Sequence, residues 1–244
     1  MNSGRPVLAP LRRVVFICGC GHSGTSLLAN MFAAHPETYV PQRETRTFFD
    51  SPLHSTVRYS ELKLRAHMAG KRYLVEKTPK HVRRLRRARH LAPRARFIIS
   101  VRDGRDVVAS IMRRGYSLDE ALERWVEDNT IALAERDRDD VIVYRHEDLV
   151  ENPIGVVKKI CEGVGIPFNL AMLDYHKETR LWFGTDHVRA SSPVGLGHED
   201  HRNWQINQPI FDSSGRWRSE LSSADLDRFE VSPVKELMEA FGYQ

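Results

Sequence analysis

Residues 14–34 constrain this chain more than any other stretch. Val14-Val15-Phe16-Ile17-Cys18 is an apolar run, β-branched at three of its five positions, and reads as a strand buried on both faces. Glycines follow at 19, 21 and 24. Thr25 to Ala34 then carries Leu27, Leu28, Met31 and Phe32 at helical spacing until His35-Pro36 stops it. A strand that passes through a glycine-rich loop into a helix aims backbone N–H groups and the positive end of the helix dipole at one point, which suits a phosphate. Ser23, Thr25 and Ser26 add hydroxyl donors there. The loop fits the G-x-x-x-x-G-K-[ST] pattern at Gly19, Gly24 and Ser26, but Thr25 stands where the lysine belongs. Such a loop binds phosphate and is poorly equipped for γ-phosphoryl transfer.

The alternation of strand and helix continues. Arg72 to Val75 reads as a short strand, Lys80 to Leu91 as a basic helix, Phe97 to Val101 as a strongly apolar strand and Asp106 to Arg113 as a helix. Ser117 to Arg136 is a long amphipathic helix with Trp125 in the core, Val141 to Tyr144 a third core strand, and Pro153 to Cys161 a further helix. This order predicts an α/β fold: a single P-loop-like domain with a central parallel sheet flanked by helices on both faces. Residues 1–13 read as an N-terminal tail and 14–244 as the domain. Within it, 176–216 reads as an irregular lid or substrate loop, and Ala224 to Phe241 returns to helical spacing.

Composition removes several function classes. With 244 residues, 41% of them hydrophobic, the chain is long enough for one well-buried core and too apolar for disorder. No run approaches the ~20 apolar residues of a membrane span, and Val14 to Cys18 is too short for the core of a secretory leader. Cys18, Cys20 and Cys161 form no disulfide framework, which predicts a reducing, cytoplasmic setting. The net charge of +5 is compatible with nucleic acid, acidic lipid or a polyanionic small ligand. Lys80 to His90 is intensely basic, with Val82, Leu85 and Ala88 as its apolar stripe. It reads as a solvated face, and without interleaved aromatics it argues against nucleic acid as a partner. His198-Glu199-Asp200-His201 matches no zinc spacing, so no metal is expected. Trp182, Phe183 and Trp204 either line an acceptor pocket or pack beneath a lid.

A second motif runs from Phe97 to Ser110. Arg102 sits at the carboxyl end of a strand, where open α/β sheets bind ligands, and Ser110 follows eight residues later in the next helix. Arginine offers a fork of donors suited to phosphate. Together the two motifs resemble the sulfotransferase superfamily, which uses 3′-phosphoadenosine 5′-phosphosulfate (PAPS) and releases adenosine 3′,5′-bisphosphate (PAP). Glu76-Lys77-Thr78-Pro79 looks like the family's E-K-T-P segment. Tyr144 to Pro153 looks like its Y-E-D-L…P segment, and Gly215-Arg216-Trp217-Arg218 with Leu221 like its late G-x-W segment. The likeness spans roughly residues 14 to 230. It implies PAPS as co-substrate, with Gly21, His22, Ser23, Gly24, Thr25 and Ser26 at the 5′-phosphosulfate, Arg102 and Ser110 at the 3′-phosphate, and Arg216 and Trp217 also in the donor site. Where many relatives carry Lys or Arg before S-G-T, this chain has His22, which is cationic only near or below a pH of ~6.5.

The acceptor's proton needs a base. Relatives of the cytosolic type use a His just after the K-T pair; here that place is Pro79, and His81 is out of register. Arg43 to Asp50 resembles the E-T-R segment of tyrosylprotein sulfotransferases and the E-x-x-F-F segment of heparan-type enzymes. Both likenesses imply Glu44 as the base, with Arg46 as an orienting or acceptor-binding group. Lys77 is assigned to the bridging oxygen of the leaving group, with an ion pair to Glu76 or Asp103 as its alternative. The expected acceptor is a hydroxyl, less readily an amine, of a small molecule or glycan, and the expected state a monomer or homodimer. Two other readings stand beside this one: a P-loop nucleotide kinase or NTPase, and a non-catalytic PAP- or RNA-binding protein.

Overall fold

The computed structural model describes residues 10–180 and 203–244. Five strands form one parallel sheet: β1 (Arg13–Gly19), β2 (Thr38–Tyr39), β3 (Tyr73–Lys77), β4 (Arg96–Val101) and β5 (Val141–Arg145), in the order β2-β3-β1-β4-β5. β1 lies at the centre, which is why its run is apolar on both faces. Val14, Phe16 and Cys18 join one core cluster, and Val15 and Ile17 join the other. The helices named next cover those two faces.

On one face lie α2 (Pro52–Met68), α3 (Leu85–Leu91), α4 (Gly104–Met112) and α5 (Leu118–Glu135), contributing among others Leu62, Ala88, Val107 and Trp125. The opposite face holds α1 (Thr25–Ala34), α6 (His146–Glu151) and α7 (Pro153–Val164), with Phe32, Leu149 and Ile160 inward. Because every strand runs the same way, the carboxyl ends of β1, β3 and β4 share one edge. In register, Ile17 of β1 sits between Lys77 and Ile98. The expected α/β architecture is therefore the observed one. Among the described residues no helix is long and apolar enough to cross a membrane, and the three cysteines are free and buried.

Several boundaries differ from the sequence reading. The basic stretch is not one helix: Pro79–Arg84 is a 3-10 turn and α3 begins at Leu85. Nor is its basic face wholly solvated. Arg83 pairs with Asp128 at 2.5 Å and with Glu127, and Arg89 pairs with Asp140 and Glu135, each at 2.5 Å, so acids from α5 and the turn before β5 hold two of its arginines. β3 extends past Val75 to Lys77, with Glu76 and Lys77 in register with β1 and buried despite their charge. The segment read as helix from 224 to 241 is two helices, Ser223–Asp227 and Val234–Ala240, separated by a 3-10 turn and Pro233.

β2 and α2 were invisible to periodicity. β2 has two residues. α2 is capped by Ser51, whose Oγ accepts from the His54 amide, and starts at Pro52. It carries apolar residues on opposite faces, so no single stripe stands out: Leu62 and Ala66 point inward while Leu53, Val57, Leu64 and Met68 are exposed. Within 176–216, residues 203–206 form a helical turn. Trp182, Phe183 and the His198–His201 cluster lie outside the described residues, as do residues 1–9 of the tail, which ends where β1 takes in Arg13.

Candidate active site

The loop between β1 and α1 lies hard against β4. Gly19 has φ +138°, and a Cβ there would stand 2.3 Å from the Ser100 carbonyl oxygen. Gly24 has φ +81°, and a Cβ there would stand 2.2 Å from His146 Nδ1. Both positions therefore demand glycine. His22 adopts φ +75°, uncommon for a residue with a side chain and a form of strain that collects at functional sites. The Ser100 hydroxyl donates to the Ser23 carbonyl and ties the loop to the sheet. α1 starts at Gly24 with no side-chain cap and no acid in its first turn, which leaves its positive end unopposed by its own side chains. The Ser23 hydroxyl is buried without a hydrogen-bond partner among the described residues.

Across this loop stands the second motif. His22 Nδ1 and Ser110 Oγ are 2.8 Å apart. Arg102 donates from Nη1 to the His22 carbonyl at 3.3 Å and from Nη2 to the Ser213 carbonyl at 3.1 Å, while its Nε is buried without a partner among the described residues. Asp106 lies 3.6 Å from Arg102 and accepts from the Gly215 amide at 2.8 Å and the Trp217 amide at 3.2 Å. One buried carboxylate thus fastens the late G-R-W segment over α4. Between these parts lies a cavity of about 740 Å³. His22, Thr25, Ser26, Arg102, Ser110 and Arg216 line it, together with the apolar Ile206, Ile210 and Phe211. Its size, its cations and an orphaned hydroxyl beneath the loop suit a ligand that carries anionic groups. His146 also lines it; burial first, and then the charge of Arg102, push this imidazole's pKa down to about 3.

A second group of charges gathers at the end of β3. Lys77 Nζ donates to Glu44 Oε1 at 2.9 Å; the lysine side chain is fully buried, and the glutamate is 29% exposed. The loop carrying Glu44 is latched from below. Glu76 Oε1 accepts from the Thr45 amide at 3.2 Å, from Thr45 Oγ1 at 2.8 Å and from Thr78 Oγ1 at 2.6 Å. Thr78 Oγ1 in turn accepts from the Arg46 amide at 3.2 Å. The other Glu76 oxygen faces His81 Nδ1 at 3.0 Å. Burial alone would raise the Glu76 pKa, but the His81 partner and these hydrogen bonds hold it below the usual carboxylate range. Arg46 takes φ +50° and lays its guanidinium over Phe49, 5.4 Å from the ring centre.

The anticipated residues thus fall into two groups. His22, Gly24, Thr25, Ser26, Arg102, Ser110 and Arg216 line the cavity; Glu44, Lys77 and Arg46 do not, and stand at the β3 end. Gly21 and Ser23 are buried in the loop's underside. Trp217 is turned away, its ring between the guanidinium groups of Arg105 and Arg218 at 4.4 and 4.6 Å. For Lys77 the structure supplies a partner that the sequence reading did not name, Glu44. Asp106 and His146 were given no role; Glu76 was named only within the E-K-T-P segment and as a possible partner of Lys77, and His81 was set aside as out of register. Their buried pairing was the missing information.

A family model described as "Sulfotransferase family" matches residues 52–169. Among solved structures, the sulfotransferase domain of the Synechococcus PCC 7002 olefin synthase aligns with a TM-score of 0.61 at 19% identity, covering 100% of this chain and 99% of that one. The fold is thus that of sulfotransferases. The sulfotransferase domain of the curacin biosynthetic pathway gives a TM-score of 0.61 at 18% identity, covering 97% and 99%. A mouse sulfotransferase complexed with PAP gives 0.55 at 15%, covering 95% of this chain and 84% of its own. No curated protein matches the sequence. The superfamily likeness read from the sequence motifs holds, and the sulfotransferase fold accounts for the whole described sheet.

Proposed function

We propose that this sulfotransferase-fold chain moves a sulfuryl group from PAPS to a hydroxyl of a small-molecule or carbohydrate acceptor. The observation that carries the reading is the cavity in which His22, Ser26, Arg102, Ser110 and Arg216 converge on the β1–α1 loop. Solved relatives with PAP support it, and so does the fit of the cavity to a bisphosphorylated nucleotide. The absence of a lysine at Thr25 argues against the kinase reading.

In this reading PAPS supplies a sulfuryl group joined to a phosphate oxygen, a good leaving group. The loop amides, Ser23, Thr25 and Ser26 hold the phosphosulfate end, and Arg102 and Ser110 hold the 3′-phosphate. Glu44 takes the proton of the acceptor hydroxyl as its oxygen attacks sulfur, and Lys77 places positive charge at the bridging oxygen that receives the departing electron pair. His22 stands between the two phosphate ends and donates to either. Arg46 orients the acceptor. Positioning and charge stabilisation do most of the work, as in phosphoryl transfer.

Calorimetric titration of the full chain with PAP, ATP and AMP tests this. PAP is expected to bind in preference to the other two, and Arg102→Ala to weaken it by more than ~10-fold, or ~1.4 kcal/mol. Preference for ATP, or indifference to the 3′-phosphate, would reject PAPS as donor and return the kinase reading to the front.

A further inference from the structure

α2 carries two apolar faces. Ser55, Leu62 and Ala66 are buried against the sheet. On the opposite side, Leu53, Val57, Leu64 and Met68 are 70, 57, 56 and 70% exposed. At about 100° per residue, these four fall within an arc of roughly 60° and form one stripe about 22 Å long. Single exposed hydrophobics need no explanation, but four aligned along the back of one helix do.

The spacing of the stripe is symmetric. Leu53 and Met68 are equally distant from the midpoint between Ser60 and Glu61, and so are Val57 and Leu64. A two-fold axis through that midpoint would set a second α2 antiparallel to the first. Leu53 would then meet Met68 of the second copy, Val57 would meet Leu64, and each contact would occur twice. This is the self-complementarity of an isologous interface. The charges nearest the stripe are compatible with it, since Glu61 is paired with Arg65 of its own helix at 2.6 Å. The surface offered to a second copy is thus apolar, and Glu61, the charge nearest its midpoint, is paired within its own helix.

We infer that this chain forms a two-fold homodimer by antiparallel packing of α2 on α2. A single helix pair buries less than the ~800 Å² per partner of a standard interface, so the dimer is a micromolar one. No residue of α2 lines the cavity at the β1–α1 loop, and the inference does not rest on the proposed reaction.

Sedimentation equilibrium of the full chain from about 1 to about 200 μM spans the range of so small an interface. It is expected to show a monomer–dimer equilibrium that Val57→Glu/Leu64→Glu weakens by about 100-fold or more, since a charge would be buried at the centre. Both positions are exposed, so at about 1 μM, where parent and variant are both monomeric, the unfolding temperature should be unchanged. Cysteine cross-linking reads the register independently, because the native thiols are buried. Ser60→Cys, beside the axis, is expected to form an intermolecular disulfide on mild oxidation. Leu53→Cys alone should not, and Leu53→Cys/Met68→Cys should. A monomer throughout, a dimer indifferent to the two glutamates, or cross-linking of Leu53→Cys but not Ser60→Cys would each overturn the proposal.

Discussion

The two halves of the candidate site share one sheet edge but are built on different principles. The β1–α1 loop is shaped by its backbone. Gly19 and Gly24 occupy conformations and clearances that a side chain would destroy, and the Ser100 hydroxyl pins the loop to β4. The β3 end is shaped by side chains. Glu44 and Lys77 meet because Glu76, Thr45, Thr78 and His81 form a buried polar network beneath them. A backbone-built site tolerates almost no change at its glycines and much change elsewhere. A side-chain-built site degrades by degrees, and its parts can fail separately from nucleotide binding.

The largest expected effect isolates chemistry from binding. Glu44→Gln should lower turnover by ~10²-fold or more while leaving PAP affinity within twofold. Near-normal turnover would remove Glu44 as the base. Gly24→Ala should break the other half, because it places a methyl against His146 at a left-handed position. A stability loss of roughly 2 kcal/mol is expected in urea titration, together with lost PAP binding. Unchanged stability and binding would show that the loop has room to relax. Glu76→Gln tests the latch: kcat should fall about tenfold, or ~1.4 kcal/mol, with PAP affinity unchanged and the acid limb of the kcat–pH profile displaced. A fall confined to thermal stability, with the profile unmoved, would make Glu76 a structural residue and no more.

The smallest effect is a slope. His146 has a folded pKa of about 3, below its unfolded value of ~6.5. Between those values the unfolded chain binds a proton that the native chain does not. Its contribution is therefore complete above pH ~6.5 and is lost as pH falls toward 3, by at most ~1.4 kcal/mol per pH unit. Urea titrations at pH 7, 6 and 5 should show this slope in the parent and a flatter one in His146→Gln. Equal slopes would assign the acid loss to other groups.

The contrast also explains what could be read in advance. β1, β4 and β5 were legible because buried parallel strands are contiguous apolar runs, and the β1–α1 loop because its three glycines fall within six residues. α2 was not, since opposed apolar faces blur the helical period. Glu44 and Lys77 each came into view through resemblance to known segments, but not as a pair; their supporting network did not, because Glu76 and His81 look like ordinary charged residues until burial makes them obligatory partners. His81 was set aside as out of register with a catalytic histidine. The structure gives it a different place, wedged between Glu76 and the rings of Phe48 and Phe49. Arg83 and Arg89 looked like solvated charge for the same reason: their acids lie about 45 residues and more away in sequence.

The closeness of Gly19 to Ser100 has a consequence for redesign. The β1 loop and the β4 end that carries Arg102 behave as one chassis, in which no part can be exchanged without refitting the next. Residues 43–50 plug into that chassis through a few polar sockets on β3. Anyone wishing to retarget such an enzyme should transplant that loop together with positions 76–81 as one cartridge, and leave the glycines alone.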